Sequence, residues 1–320
     1  MTIQTWEDIG YQITRIDSGM VRPGLAACYL LWDGDDYALV ETGTHHTIPI
    51  IMALLDARDI AREKVKFVIP THVHLDHAGG VGGLMQQLPN ATLLVHPKGA
   101  RHMIDPEKLK AGATAVYGEA QFQQIYGDII PVDATRVREM QDGDTVTLGN
   151  RTLAFYDTPG HARHHFCVRD SLSNGIFTGD TFGLAYPTLT TDQGPFIIPT
   201  STPVQFDPDA LKASIQKLLN LKPARMFLTH YGPVAHPERL APQLLAQIDD
   251  YVAMAQAVRR EVSEDQWESA LIERLSAYTF SRAHAHGCSQ TDSELEAELG
   301  MDMRLNGQGL AVWLQSLDAA

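Results

Sequence analysis

The run Thr71-His72-Val73-His74-Leu75-Asp76-His77-Ala78-Gly79-Gly80 constrains this chain more than any other stretch. Four metal-capable side chains fall within six residues, directly after the largely apolar run from Val65 to Pro70. Side chains alternate between faces along an extended segment, so His72 and His74 share one side and can converge on one cation. Asp76 and His77 follow where Gly79-Gly80 turns the chain, and they can reach a second cation nearby. Imidazole and carboxylate together suit zinc, with iron or manganese as alternatives. A histidine-rich surface loop would not require this regular spacing after a buried-looking strand.

The chain as a whole narrows the classes of function. Its 320 residues exceed the usual single-domain size, which suggests one large domain with an appendage. Hydrophobic residues at 44% and charged residues at 20% are ordinary for a globular protein in water. The formal charge of −14 repels phosphate backbones, so nucleic acid is not expected as a partner. Cys28, Cys167 and Cys288 are too few and too scattered for a disulfide framework or a thiolate zinc site. They read as buried or indifferent thiols of a reducing compartment. The stretch Met1 to Asp8 lacks the basic start and apolar run of a signal peptide. The run Ala26 to Trp32 is far shorter than the roughly 20 residues needed to span a bilayer. A cytoplasmic protein with no membrane partner is expected.

Short β-like runs at Ala26–Trp32 and Tyr37–Val40 flank Asp33-Gly34-Asp35-Asp36, which is hairpin chemistry. Helical spacing follows over Ile48–Leu55, a strand over 65–70, a helix over Gly80–Leu88 and a strand over Ala91–Val95. Residues 98–127 lean helical without a clear pattern. A second set of strands is expected at Thr145–Leu148, Thr152–Tyr156, His165–Val168, Gly175–Thr178 and Arg225–Leu228. Between Tyr186 and Pro208 five prolines and little periodicity indicate a long loop, and Asp207 can cap a helix that begins at Pro208. Beyond about Pro237 strand signals cease. Leu244, Leu245, Ile248, Val252 and Ala255 repeat at helical spacing, and Thr291-Asp292-Ser293-Glu294 has the form of a capping box. The expected organisation is therefore a β-rich catalytic domain over 1–237 and an all-helical extension over 238–320.

Three further metal-capable residues stand just after apolar strand patterns. His161 follows Leu153 to Gly160, Asp180 follows Gly175 to Gly179, and His230 follows Arg225 to Thr229. Each lies where a strand end can deliver a side chain to a shared rim. Any one of them could equally be a capped turn or a satisfied histidine; their agreement with the first motif carries the weight.

These motifs, THVHLDHAGG at 71–80, TPGHARHH at 158–165, FTGDTF at 177–182 and LTHYG at 228–232, resemble those of the metallo-β-lactamase-fold superfamily. Within it the chain is similar to the branch of glyoxalase II and related metal-dependent hydrolases. The resemblance implies an α/β fold, the αββα metallo-β-lactamase sandwich, with two divalent metals at one edge. It implies that His72, His74 and His161 hold the first metal, that Asp76, His77 and His230 hold the second, and that Asp180 bridges them. Seven ligands for two metals leave positions open for water, as in catalytic rather than structural sites. The expected chemistry is attack by metal-bound hydroxide on an ester, thioester or lactone carbonyl of a small acyl substrate. Asp76 and Asp180 are the candidate catalytic residues, with Asp76 passing a proton to the leaving group. Thr71, Asp157 and His165 are candidates for orienting the ligands.

Several positions depart from the family pattern. Glu41 stands where many relatives carry aspartate, His164 replaces a glycine, and Gly183 replaces the tyrosine of acyl-homoserine-lactone lactonases. Tyr186 is either a substrate contact or a packing tyrosine. His96, His102, His45, His46 and the pair His284 and His286 are expected to be non-ligands. An iron-dependent oxidoreductase of the sulfur dioxygenase kind is the alternative on the same scaffold. Histidine at position 74, where diiron oxidoreductases usually carry glutamate, favours the zinc-type hydrolase. The helical extension is a plausible dimerisation surface for a homodimer.

Overall fold

The computed structural model describes residues 4–201 and 205–318. Residues 1–3, within the stretch weighed as a signal peptide, residues 202–204 of the proline-rich loop and residues 319–320 of the helical extension lie outside the described residues. The chain forms two compact units. One comprises Met1–Asp157, His164–Gly179 and Pro223–Ala235; the other comprises Thr158–Arg163, Asp180–Lys222 and His236–Ala320.

The first unit carries both sheets. Strands β1 (Trp6–Asp8), β2 (Ile13–Asp17), β3 (Ala27–Asp33) and β4 (Asp36–Val40) form an antiparallel meander. The β3–β4 hairpin closes on the Asp33–Asp36 pair that the turn residues indicated. Helix α1 (Ile48–Ala57) then crosses to β5 (Val65–Ile69), which pairs in parallel with β4. A short helix α2 (Leu75–Ala78) and α3 (Val81–Gln87) lead to β6 (Thr92–Val95), again parallel. The unplaced stretch 98–127 resolves into α4 (Pro97–Ile104), α5 (Glu107–Tyr117) and α6 (Glu119–Ile125) before β7 (Val137–Glu139) completes the seven-stranded sheet. The second sheet contains β8 (Thr145–Leu148), β9 (Arg151–Asp157), β10 (Phe166–Asp170), β11 (Gly175–Gly179), β12 (Arg225–Leu228) and β13 (Gly232–Ala235), in the order β13-β12-β11-β10-β9-β8. Only its β11–β12 pair is parallel.

Strand parity explains the layering. Cys28, Leu30, Leu39, Val68, Leu93 and Val95 share a buried cluster with Ile51, Leu54, Leu55 and Leu84, so one face of the first sheet packs on helices. The alternate residue Tyr29 instead meets Phe177 and Phe227 of the second sheet in edge-on contacts at 5.1 and 5.8 Å. Its hydroxyl donates to the Leu228 carbonyl. Both faces of β3 are thus covered, which is why its sequence is continuously apolar instead of alternating. The expected buried thiols of Cys28, Cys167 and Cys288 are indeed buried and unbridged.

The second unit is helical. Asp207 caps α7 (Pro208–Asn220) by accepting from the Ala210 N–H at 3.0 Å, with Pro208 at the first helical position. Helices α8 (Pro237–Glu261), α9 (Trp267–Ala285) and α10 (Asp292–Asp318) pack on one another. Leu240, Leu244, Ile248, Tyr251, Ala255 and Val258 form the buried stripe of α8, while Leu245 and Val252 lie at its margin. The capping box is present: the Glu294 carboxylate accepts from the Thr291 N–H at 2.8 Å, and the Glu294 N–H donates back to Thr291 Oγ1 at 3.4 Å. Among the described residues no strand follows β13 and no helix is long and apolar enough to cross a membrane.

One buried arginine links the sheets of the first unit and is paired within its own sheet. Arg151, on β9, lies 2.9 Å from Asp170 on β10, and both side chains are fully buried. The same guanidinium donates to the carbonyls of Gln12 at 3.2 Å, Trp32 at 3.3 Å and Tyr11. Removing one partner of such a pair leaves an uncompensated buried charge, at a cost of about 3–5 kcal/mol. We expect Arg151→Met to lower stability by that order in urea unfolding; a midpoint unchanged from wild type would contradict the stapling role.

Candidate metal centre

The histidine motif begins where β5 ends. Val73 is buried in the helix-facing cluster, which turns its neighbours His72 and His74 to the opposite side, as the alternation required. Their rings lie 4.4 Å apart, and His72 Nε2 approaches His74 Nδ1 at 2.8 Å. His74 then stands at the N-terminus of α2, whose single turn carries Asp76 and His77. His230 arrives from the end of β12, and the His230–Tyr231 peptide is cis. The ligand atoms of Asp76, His77 and His230 lie within 4.8 Å of one another.

A buried carboxylate organises this part of the first unit. Glu41 follows β4 with a left-handed φ of +64° and is 1% exposed. It accepts from the Thr71 N–H at 3.0 Å, Thr71 Oγ1 at 2.6 Å, Thr229 Oγ1 at 2.9 Å and His77 Nδ1 at 2.9 Å. These donors come from the residues just before or within the two motifs, so one side chain sets both. The departure from aspartate places the longer carboxylate within reach of both.

The hydrogen bonds assign the imidazole tautomers. His77 Nδ1 must carry its proton to reach Glu41, so its Nε2 presents a lone pair to Asp76 Oδ2 at 3.3 Å. His230 Nδ1 donates to the Leu25 carbonyl at 2.8 Å, and its Nε2 faces the same Asp76 oxygen at 3.2 Å. Two acceptors facing each other at this distance need a positive charge between them, either a proton or a cation. The electrostatics agree: burial would raise the Asp76 carboxyl, yet His77 and His230 outweigh it and hold it well below the usual carboxylate range. Thr71 Oγ1, spent as a donor on Glu41, is left to accept from His72 Nδ1 at 3.2 Å, which turns the lone pair of His72 Nε2 toward His74 Nδ1. Nitrogen and carboxylate donors fixed by outer hydrogen bonds are the set that divalent cations require, so the residues present fit such an ion.

The second unit repeats this arrangement with His161 and Asp180. Gly160 holds a φ of +125° where a Cβ would meet the Leu211 backbone nitrogen at 2.2 Å, so the turn before His161 admits only glycine. Thr200 Oγ1 donates to the Asp180 carbonyl at 3.0 Å and accepts from His161 Nδ1 at 3.1 Å. His161 Nε2 then faces Asp180 Oδ2 at 3.3 Å. Both residues are buried. All seven residues singled out in the sequence therefore stand in one or the other of these two groups.

Neighbouring residues sort as follows. His165 stacks on His72 at 4.7 Å. Asp157 engages His96 at 2.9 Å, and His96 also caps α4 through Nδ1, so its ring is occupied structurally. His164 lies across from His74 at 5.6 Å; burial, aided by His74, His102 and His96, pushes its pKa down to about 3 and keeps it neutral. Tyr186 is fully buried with its hydroxyl on Asp302 at 3.0 Å, which makes it a packing tyrosine. Gly183 has a φ of +71°, and a Cβ there would meet the Ile198 carbonyl at 2.3 Å, so the lactonase tyrosine has no room at this position. His284 pairs with Asp292 at 2.8 Å and His286 with the Gly194 carbonyl at 3.0 Å. Sequence reasoning missed Thr200, Thr229 and the Leu25 carbonyl, because nothing in their spacing distinguishes them from ordinary loop residues.

Comparison with known proteins shows the family. The sequence profile of the metallo-beta-lactamase superfamily matches residues 21–230. Metallo-beta-lactamase fold-containing protein ST1585 of Sulfurisphaera tokodaii is 27% identical over 225 residues, covering 69% of this chain and 78% of the relative. The crystal structure of ST1585 superposes with a TM-score of 0.61 over 73% of this chain and 85% of that one. Acyl-coenzyme A thioesterase MBLAC2 of Bos taurus is 30% identical over 130 residues, 39% of this chain and 44% of the relative. Hydroxyacylglutathione hydrolase of Maricaulis maris is 28% identical over 141 residues, 44% and 43% of the two chains. The chain's matches thus span less than half the length of these last two relatives. Two mixed sheets with the motif residues at their strand ends are the α/β sandwich of this family, here with a C-terminal helical region, and the chain belongs to the metallo-β-lactamase superfamily.

Proposed function

We propose that this protein is a dinuclear metal-dependent hydrolase that cleaves an ester or thioester, or a lactone, of a small acyl substrate. In this reading His72, His74 and His161 would hold one metal and Asp76, His77 and His230 the other, with Asp180 a ligand that both would share. The observation that carries it is the repeated pairing at Asp76–His77, Asp76–His230 and Asp180–His161, in which an Nε2 lies 3.2–3.3 Å from a carboxylate oxygen while the ring is held through Nδ1. Zinc is the proposed metal, since the donors are imidazole and carboxylate without thiolate. The names of MBLAC2 and of the Maricaulis hydrolase both place an acyl group on the substrate, which supports the acyl class. Residues 1–237 would carry the chemistry and 238–320 would support it, in a cytoplasmic chain able to pair as a homodimer.

Two divalent cations, when bound, would make water nucleophilic near neutral pH and polarise the scissile carbonyl. The chain's own residues have separate tasks. Glu41, the Leu25 carbonyl and Thr200 hold the Nδ1 protons of His77, His230 and His161, so each Nε2 stays aimed and is the nitrogen that would offer its lone pair to a cation. Asp76 is positioned to take up the proton released on attack and pass it to the departing alkoxide or thiolate. His164, neutral and close to His74, adds no charge that would repel a cation.

The test is a panel of thioesters, esters, lactones, phosphodiesters and β-lactams assayed on protein of measured metal content. We expect two divalent ions per chain and turnover of an acyl substrate. Asp180→Ala should lose metal and activity by more than about a hundredfold, beyond the 10–100-fold typical of supporting residues. Full retention of both would contradict the proposal, and one iron per chain with oxygen uptake on a persulfide would reassign the protein to the oxidoreductases. A second expectation concerns Glu41→Gln, whose amide would turn donors against donors. Chelator competition should show metal binding weakened by about 10–100-fold; unchanged affinity would show that Glu41 does not orient His77.

A further inference from the structure

We infer that Asn306, on α10, is a positioning residue for His161 and Asp180, acting through the segment Pro199-Thr200-Ser201. The inference rests on the reading of His161 and Asp180 as metal ligands. Asn306 is 2% exposed, and both ends of its amide hydrogen-bond this segment. Its Oδ1 accepts from the Ser201 N–H at 2.6 Å, and its Nδ2 donates to the Pro199 carbonyl at 3.1 Å. The Ser201 hydroxyl donates to the Asn306 carbonyl at 3.1 Å. The side-chain amide therefore pairs with the chain on both sides of Thr200, as a neighbouring strand would.

Thr200 is the residue so held. Its hydroxyl has one proton and gives it to the Asp180 carbonyl, which leaves a lone pair for His161 Nδ1. A single oxygen thus sets the tautomer and ring angle of one ligand and anchors the backbone of the other. A hydroxyl can do this only where its Cα is fixed, and proline-rich loop sequence has no ladder of its own to fix it. The antiparallel bridge between Leu184 and Ile198, with both N–H···O contacts at 2.9 Å, supports the segment at its upstream end. Asn306 thus hydrogen-bonds both Pro199 and Ser201, the two neighbours of Thr200. The long C-terminal helix accordingly has a task in the chemistry besides packing: it carries the amide that keeps Thr200 in register. Outer hydrogen-bond partners of metal ligands change affinity by about 10–100-fold when removed, and Asn306 acts one bond further out.

A control exists in the same loop. Gln247 of α8 donates to the Ile197 carbonyl at 2.8 Å, a buried clamp of the same kind that does not flank Thr200. The experiment loads wild type, Asn306→Ala, Asn306→Leu and Gln247→Leu with cobalt(II). It then reads the visible absorption spectrum and the affinity by chelator competition. We expect both Asn306 variants to bind at least one ion about tenfold more weakly with an altered spectrum, while Gln247→Leu matches wild type in both. Wild-type affinity and spectrum in the Asn306 variants would overturn the positioning role. Equal effects in Gln247→Leu would overturn it too, because they would reflect general loosening of the loop. If the Asn306 variants do not fold, Thr200→Val and Thr200→Ser replace them: loss in the first with rescue in the second supports the relay, and a wild-type-like Thr200→Val ends it. A wild-type chain that holds no divalent ion overturns the hydrolase reading itself, and the role of Asn306 with it.

Discussion

The commitment of each Nδ1 proton to a fixed partner is the interaction on which the rest of this site depends. An isolated imidazole can present either nitrogen and rotate freely. Glu41, the Leu25 carbonyl and Thr200 remove that freedom for His77, His230 and His161 in turn, so that Nε2 faces a carboxylate oxygen at 3.2–3.3 Å. The cost is borne by the protein: a carboxylate 1% exposed must be satisfied, and four hydrogen-bond donors surround it. Glu41 also sits in the left-handed backbone region, a conformation costing on the order of 1–3 kcal/mol that persists only where the surroundings over-determine it.

The sheets supply that over-determination. β5 and β12 end near the same carboxylate, one delivering Thr71 and the other Thr229. Tyr29 packs between β3 and the second sheet, and its hydroxyl binds the carbonyl of Leu228, the residue just before Thr229 and His230. Packing of aromatic side chains is thereby converted into placement of a strand end. In the second unit the same result is reached without a sheet, by a threonine hydroxyl and a buried amide. Rigid elements and a frozen loop reach the same donor geometry by different means.

Much of the fold, and the residues that gather in the two candidate groups, could be read in advance because their signals are local. The alternation His72-Val73-His74, the strand before each motif and the helical spacing of Leu244, Ile248 and Ala255 depend on neighbours in sequence. What was not legible depends on distant partners. Thr200 and Asn306 stand far apart along the chain, and a threonine after proline looks like any loop residue. Residues 98–127 resisted for a related reason: α4, α5 and α6 are short and only α4 carries a clear apolar side, so tertiary packing decides their boundaries. Glu41 was visible as a departure from aspartate, but its four donors come from three residues in two distant motifs that only the fold assembles. Tyr186 could be weighed as substrate contact or packing, and Asp302, far along the chain, settles it as packing.

The most direct test of this account is side-chain 15N NMR of the histidines, recorded before and after titration with zinc. The account predicts that His77, His161 and His230 keep their Nδ1 protons throughout, and that only their Nε2 resonances move as the ion binds. Exchange of the Nδ1 protons on loading, or Nε2 resonances that ignore zinc, would contradict it.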